Sequence, residues 1–254
     1  MRETGEAIQG ATGREVKTPV FALHSVSAGY GKAEVLFDIS LSLMPAQCCA
    51  ILGRNGMGKT TLLKVLMGQI APNNKKNTGK VVRMGITPPL PPHAIAKLGF
   101  ALVPEGRQIF PSLTVAEHLH AFWQKKPGGW TPDQVIAFLP ALASRLKHRG
   151  GALSGGEQQM LAIGRALVTN PSLLILDEAS EGLSPVMREV VWGCLARLKA
   201  RGVAIVIVDQ ATPALLHLAD SLHILEKGRF VWEGKPSMLT STIARRYLGV
   251  GLST

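Results

Sequence analysis

The stretch Gly53-Arg54-Asn55-Gly56-Met57-Gly58-Lys59-Thr60-Thr61 decides the fold of this chain. It fits the pattern G-x-x-x-x-G-K-[ST], an apolar run over residues 48–52 precedes it, and a helix-like segment over residues 61–67 follows it. A phosphate-binding loop requires this order of strand, glycine-rich turn and helix. The glycines let the backbone wrap closely around an anion, while free N–H groups and the helix dipole face that anion. We therefore predict that all nine residues, the phosphate loop, bind a nucleotide.

Two side chains of the phosphate loop have predicted roles of their own. The Lys59 ammonium can reach the outer phosphates and assist catalysis, and the Thr60 hydroxyl can ligate Mg²⁺. The alternative is a glycine-rich turn that binds no ligand.

A second motif, Leu173-Leu174-Ile175-Leu176-Asp177-Glu178, delivers two carboxylates to the end of a buried strand. Ligands lie at that end of the strands in open α/β sheets. Asp177 fits the role of holding Mg²⁺, directly or through water. Glu178 fits the role of a general base for the water that attacks the γ-phosphate. The alternative is an acidic helix N-cap after a strand.

A third motif, Leu153-Ser154-Gly155-Gly156-Glu157-Gln158-Gln159, stands directly before a predicted helix. Serine and paired glycines at a helix start form an anion site, although an ordinary serine N-cap has the same appearance. A second phosphate site beside a single glycine-lysine loop is odd unless two chains share each nucleotide.

The order of the other segments predicts a mainly parallel sheet covered by helices. Residues 20–23 and 35–43 have strand patterns, and the alternation in the second predicts a half-solvated antiparallel strand. Residues 71–92 predict an exposed loop with one weak strand, and residues 112–152 a small helical insert in which Thr114 caps a helix. The remaining predictions are strands at 100–103, 172–176, 203–208 and 222–225 and helices from 155 to 168, 186–200 and 213–218.

Composition restricts the class of protein. At 254 residues with 46% hydrophobic content, the chain can bury a full core. The net charge of +11 permits nucleic acid, an anionic membrane surface or an acidic partner. No apolar run reaches the 18 or so residues that a membrane-spanning helix needs. Residues 1–19 lack the apolar centre of a signal peptide, so we interpret them as a flexible cytoplasmic tail.

Together, the three motifs and their spacing resemble an ABC-type ATPase over roughly residues 20–250. The resemblance implies the α/β fold of P-loop NTPases, with a mainly parallel sheet core, an antiparallel β subdomain and an inserted α-helical subdomain. It implies ATP and Mg²⁺ as cofactors. It also implies a head-to-tail dimer, in which each ATP lies between the phosphate loop of one chain and the Ser154, Gly155, Gly156 and Glu157 of its partner, the signature segment.

The resemblance also assigns roles to isolated residues. Tyr30 stands where such ATPases place an aromatic ring that stacks on adenine; taken in isolation, a surface tyrosine at a strand end is the alternative. Glu105 replaces the usual glutamine that contacts metal and water; its carboxylate can still offer an oxygen to Mg²⁺, but it adds a negative charge. Gln210 replaces the usual histidine at the γ-phosphate, and glutamine can donate a hydrogen bond but cannot gain a proton. Ser184 stands where many of these ATPases carry an aspartate, and Ala179 replaces a common proline.

The sequences of residues 103–111, 153–167 and 246–250 resemble those of the second ATPase of branched-chain amino acid importers. The ATPase of urea or short-amide importers is a close alternative, and a soluble ABC ATPase acting on nucleic acid or ribosomes is an alternative of another class. The importer reading implies two transmembrane permease subunits, a sibling ATPase or a second copy as partner, and an extracytoplasmic substrate-binding protein. No nucleic acid is expected, and the protein would be peripheral at the cytoplasmic face of a bacterial inner membrane. Phe110 and residues 113–115 are candidates for the permease contact, with ordinary core packing at a helix start as the alternative.

Overall fold

The computed structural model describes residues 18–73 and 79–249, so most of the proposed N-terminal tail lies outside the described residues. In chain order the strands are β1 (Phe21–Tyr30), β2 (Ala33–Leu43), β3 (Cys48–Leu52), β4 (Lys80–Arg83), β5 (Phe100–Val103), β6 (Leu173–Asp177), β7 (Ala204–Val208), β8 (Ser221–Glu226) and β9 (Arg229–Gly234). The helices are α1 (Lys59–Leu66), α2 (Pro92–Lys97), α3 (Val115–Phe122), α4 (Pro132–Phe138), α5 (Gly155–Leu167), α6 (Pro185–Ala200), α7 (Pro213–Leu218) and α8 (Ser241–Leu248).

The larger sheet has the strand order β5-β6-β7-β3-β8-β9. Neighbouring strands from β5 to β8 run parallel, and β9 returns antiparallel to β8. Every residue of β3, β6 and β7 is buried, as expected for parallel strands that helices cover on both faces. The predicted parallel core is confirmed. The phosphate loop follows β3, and Asp177 and Glu178 lie at the end of β6. All of them are therefore at the edge of the sheet where the parallel strands end.

The two faces of this sheet belong to different hydrophobic cores. Along β3, Cys48, Ala50 and Leu52 pack into the core under α5, α6 and α7. The alternate residues Cys49 and Ile51 pack into the core with α1 and the smaller sheet. That smaller sheet is antiparallel, with the order β2-β1-β4. The molecule is therefore layered, with the parallel sheet in the middle.

The segment between residues 112 and 152 contains α3, α4 and two short 3₁₀ turns. Both helices begin with a capping box, formed by Thr114 with Glu117 and by Thr131 with Gln134. Their apolar residues lie on α5 at Gly164, where an added Cβ would come within 3.2 to 3.3 Å of Val135, Leu119 and Leu139. A glycine at this position lets the insert pack closely on α5. The boundaries of the insert as a subdomain remain a prediction.

Several details differ from the sequence predictions. Strand β1 extends to Tyr30, beyond the predicted residues 20–23, because Gly29 and Tyr30 pair with β2 after register shifts that break the alternation. Helices α2 and α8 and strand β9 were not predicted. On α3, Val115 is buried, whereas Phe122 is 37% exposed and stacks on the ring of Phe110, with 6.1 Å between the ring centroids.

Candidate functional site

The phosphate loop joins β3 to α1 in a conformation that glycine makes possible. Gly58 has a φ of 102° immediately before α1, a left-handed value that side chains disfavour. At the start of the loop, a Cβ on Gly53 would lie 2.5 Å from the Leu225 carbonyl oxygen. The Lys59 Nζ donates hydrogen bonds to the carbonyl oxygens of Gly53 at 2.8 Å and Arg54 at 3.0 Å. The backbone of the phosphate loop therefore surrounds the buried ammonium group of Lys59.

The turn between β8 and β9 supports the phosphate loop from outside. The Gly228 N–H donates to the Met57 carbonyl at 3.0 Å, and the Lys227 N–H lies 3.2 Å from the Met57 sulfur. Gly228 also accepts a hydrogen bond from the Phe37 N–H, and a Cβ on it would lie 1.9 Å from the Val35 carbonyl oxygen. The sequence reading missed this support. The Lys227-Gly228 pair before a strand-like run was the signal for a turn, but it does not reveal what the turn contacts.

Asp177 ends β6 and is 5% exposed. Burial raises the pKa of its carboxyl, while the Thr60 hydroxyl and the Lys59 ammonium act in the opposite direction. The Oδ1 atom is buried and has no hydrogen-bond partner among the described residues. Because an unsatisfied buried carboxylate oxygen is costly, this atom is suited to contact a cation or another donor.

Glu178 follows Asp177 with a left-handed φ of 54°, and its N–H donates to the Val208 carbonyl at 2.8 Å. Its carboxyl lies in a group with those of Glu105 and Glu181, whose oxygens are within 4.8 Å of one another. A hydrogen bond to Glu181, together with burial and the charges of Glu181 and Glu105, raises the pKa of Glu178 to about 7. Glu181 was not among the predicted site residues, because an exposed glutamate in a loop carries no distinguishing sequence signal.

One cleft of about 380 Å³ brings many predicted residues together. Those that line it are Tyr30, Asn55, Gly56, Gly58, Lys59, Thr60, Thr61, Glu105 and Glu178. Of the remaining loop residues, Arg54 extends to Gly249 at the end of α8, where its guanidinium occupies the space of an added Cβ. Tyr30 is 49% exposed, and the Lys64 ammonium lies 5.5 Å from the centroid of its ring.

Gln210 lies after β7 with its side chain exposed, and the adjacent Asp209 holds the local backbone. The Asp209 carboxylate accepts hydrogen bonds from the N–H groups of Ser180 at 3.0 Å and Gln210 at 2.7 Å. Burial raises the pKa of Asp209, and these hydrogen bonds oppose the shift. Asp209 thus fixes the loop after Glu178 relative to Gln210, a role that the sequence reading did not assign.

The signature segment is built at the start of α5, and its residues do not line the cleft beside Lys59. Ser154 caps the helix in a capping box with Glu157, which also pairs with the Arg145 Nε at 2.7 Å. This ion pair and the Ser154 N–H lower the pKa of Glu157. Ser184 is likewise the N-cap of α6, and Ala179 is buried. Within one chain, the structure therefore does not combine the phosphate loop and the signature segment in one cleft.

A family model described as ABC transporter matches residues 36–181. The chain is 37% identical over 237 residues to the high-affinity branched-chain amino acid transport ATP-binding protein BraG of Pseudomonas aeruginosa, covering 91% of this chain and 100% of the relative. It is also 32% identical to the Nod factor export ATP-binding protein I of Rhizobium meliloti, covering 93% of this chain and 70% of the relative.

The structure is similar to a solved nucleotide-free ATP-binding cassette from an ABC transporter. The TM-score is 0.76 at 22% sequence identity, with 92% of this chain and 96% of the other covered. At this identity the likeness shows the fold alone, and it confirms the predicted α/β class. Across the described residues, every helix is too short or too polar to cross a bilayer.

Proposed function

Because this chain belongs to the ABC transporter family of ATP-binding proteins and is an ATPase of that family, we propose that it powers a bacterial importer of branched-chain amino acids. The family membership confirms the resemblance that the three sequence motifs indicated. The observation that carries the proposal is the cleft itself. Most of the phosphate loop lines it together with Glu105 and Glu178, and Asp177, at the end of β6, directly precedes Glu178.

The residues of the cleft have complementary proposed roles. The phosphate loop binds the phosphates of ATP through its main-chain N–H groups, and Tyr30 stacks on the adenine. Lys59, now bonded to Gly53 and Arg54, exchanges these carbonyls for the outer phosphates of the nucleotide. This exchange is favourable because a charge-assisted bond to phosphate is stronger than one to a neutral carbonyl.

The donor atoms around Asp177 fit Mg²⁺. A buried carboxylate oxygen without a partner lies near the Thr60 hydroxyl, and both are hard oxygen ligands of the kind this ion prefers. We propose that Asp177 and Thr60 hold the ion and that Glu105 contributes at its edge, directly or through water. When bound, Mg²⁺ neutralises charge on the phosphate oxygens.

Glu178 acts as the proposed general base. Its carboxylate must be ionised to accept a proton from the attacking water, so the raised pKa keeps a share of the free protein inactive at neutral pH. Gln210 donates a hydrogen bond toward the γ-phosphate. Since Asp209 ties the backbone of Gln210 to Ser180, both groups are positioned together.

The active form is the proposed head-to-tail dimer, with a sibling ATPase or a second copy. The signature segment of one chain lies outside its own cleft and presents the N-terminus of α5, which suits a phosphate held by the partner. ATP joins the two chains, and hydrolysis separates them.

Relatives favour import of amino acids. BraG is matched over its whole length, whereas the Nod factor export relative is matched over 70% of its own. We propose that two permease subunits receive this chain at the membrane surface, with a substrate-binding protein on the outer side. Phe110 is 47% exposed, so its ring is accessible for such a contact. Of the other candidates, residues 113–115, Val115 is fully buried, whereas Leu113 and Thr114 are half-buried and remain candidates for the contact.

Reconstitution tests this proposal. The chain would be co-expressed with its two permease subunits and sibling ATPase, placed in vesicles with the binding protein, and supplied with ATP. We expect uptake of leucine, isoleucine or valine above that of urea. ATP hydrolysis with uptake of urea alone would assign the alternative cargo, and the absence of hydrolysis would refute the proposal.

A further inference from the structure

The loop after Glu105 has a strained backbone that the signature helix holds in place. Arg107 and Gln108 have left-handed φ values of 62° and 46°, which cost free energy for residues with side chains. Arg165 on α5 stabilises both: its guanidinium donates to the Gln108 carbonyl at 2.6 Å and to the Arg107 carbonyl at 3.1 Å. The same guanidinium lies 5.3 Å from the ring of Phe122. Helix α5, which begins at the signature segment, therefore holds the backbone of Arg107 in place.

The Arg107 side chain joins two parts of the molecule that belong to different ATP sites. One guanidinium nitrogen donates to the Gln158 side-chain oxygen at 3.5 Å, and the other donates to the Glu181 carbonyl at 3.4 Å. Gly155 leaves space for it, since an added Cβ there would lie 3.1 Å from the guanidinium, whereas a Cβ at Gly182 would make an ordinary contact at 3.5 Å. Among the described residues, no carboxylate pairs with Arg107 within 4.0 Å. Its hydrogen bonds thus position Gln158 and the Glu181 carbonyl relative to each other and do not neutralise a charge.

We propose that Arg107 is a positioning residue that couples the two ATP sites of the dimer. This inference rests on the proposed function, in which the signature segment contacts the partner's nucleotide and Glu178 acts on the nucleotide of its own chain. A movement of the start of α5 on binding the partner's phosphate shifts Arg107 through Gln158, and Arg107 shifts the Glu181 carbonyl three residues after the base. The planar fork of arginine suits this task, because it holds two acceptors in fixed directions.

Mixed dimers test the coupling. One copy carries Glu178→Gln, so hydrolysis occurs only in the cleft of the other copy. Arg107→Ala is then placed either in the hydrolysing copy, beside its base, or in the Glu178→Gln copy, beside the signature segment that covers the nucleotide. We expect kcat to fall about 3- to 10-fold in both arrangements, the range for loss of a neutral hydrogen bond, with KM for ATP changed by less than about 2-fold. With a sibling ATPase, the Arg107→Ala and Glu178→Gln changes are distributed over the two subunits in the same way.

Controls separate this role from a structural one. Arg201→Ala removes a guanidinium that only stacks on the rings of Trp130 and Phe138, and it should leave kcat unchanged. Arg107→Lys keeps the charge but not the fork, so it should not restore kcat. A fall in only one arrangement, an equal fall with Arg201→Ala, or full rescue by lysine would overturn the coupling while leaving the proposed function intact. Absence of hydrolysis in the unsubstituted dimer would overturn both.

Discussion

The Asp209 carboxylate accepts a hydrogen bond from the Ser180 N–H at 3.0 Å and so connects the end of β7 to the loop that follows Glu178. Asp209→Asn leaves one acceptor for two N–H donors, since its amide nitrogen faces the other. We expect kcat for ATP hydrolysis to fall about 10-fold, with the nucleotide Kd unchanged. Steady-state kinetics and equilibrium binding measure the two quantities.

Asp220 provides the matched control for that change. Its carboxylate also accepts a backbone hydrogen bond, from Cys48 at 2.7 Å, but at the opposite end of β3 from the phosphate loop. Asp220→Asn should lower stability without a specific loss of kcat. If both variants lose kcat equally, the proposed role of Asp209 at the site is wrong.

Glu178→Gln separates binding from chemistry. The amide keeps the size of the side chain but cannot accept the proton of the attacking water, so hydrolysis should slow by about 100-fold or more while ATP binding persists. An ATP-bound dimer should then accumulate in size-exclusion chromatography. The neighbouring variant Glu181→Gln should retain most of the turnover. Near-normal hydrolysis by Glu178→Gln would remove this residue from the role of base.

The raised pKa of Glu178 predicts a dependence of stability on pH. Because the folded protein binds this proton more tightly than the unfolded chain does, the free energy of unfolding falls as pH rises from about 4.3 to about 7. Above pH 7 the contribution of Glu178 no longer changes. The Tm difference between Glu178→Gln and the unsubstituted protein, without nucleotide, should therefore grow with pH and level off above 7. A difference independent of pH between 5 and 8 would contradict the shifted pKa.

Lys59→Ala tests the phosphate loop. The substitution removes the cation that would contact the outer phosphates, and we expect loss of tight ATP binding, with Kd raised by about 100-fold. Equilibrium binding with a fluorescent ATP analogue measures it. Lys97→Ala, at an exposed position at the end of α2, is the control and should bind normally. Unchanged affinity in Lys59→Ala would refute the assignment of the loop.

Gly228→Ala tests the support that the β8–β9 turn gives to the phosphate loop. Gly228 and Gly202 both have left-handed φ values, 76° and 91°, but only Gly228 lacks space for a side chain. Gly202→Ala should lower the free energy of unfolding by about 1–2 kcal/mol through backbone strain. Gly228→Ala should lower it by about 2 kcal/mol more, because the methyl group displaces Val35 or the loop. Urea unfolding of both variants gives the comparison, and equal losses would exclude a packing role for Gly228.

Local patterns predicted the parts of the fold that depend on neighbouring residues. The phosphate loop, the buried strand ending at Asp177 and the capped start of α5 each follow from a short run of sequence with a defined backbone requirement. The supports of the site did not follow from such runs. Met57 and Lys227 meet across 170 positions, and nothing in either segment specifies the other.

The same limit explains why Asp209, Glu181 and Arg107 were missed as site residues. Each acts through a contact with a distant loop, and its residue type is common on protein surfaces. The register shifts in β1 hid its true length in a similar way, because a pattern with a period of two fails where the pairing shifts. Sequence periodicity therefore located the sheet that carries the site but not the contacts that hold the site in shape.

The ion pair between Arg145 and Glu157 has a consequence for how two molecules meet. Glu157 is already fixed by this pair and by the Ser154 N–H, so the rim that a second molecule would encounter needs no ordering when it arrives. If the proposed head-to-tail dimer forms, little side-chain conformational entropy is lost at this rim, so the free-energy cost of association is lower there.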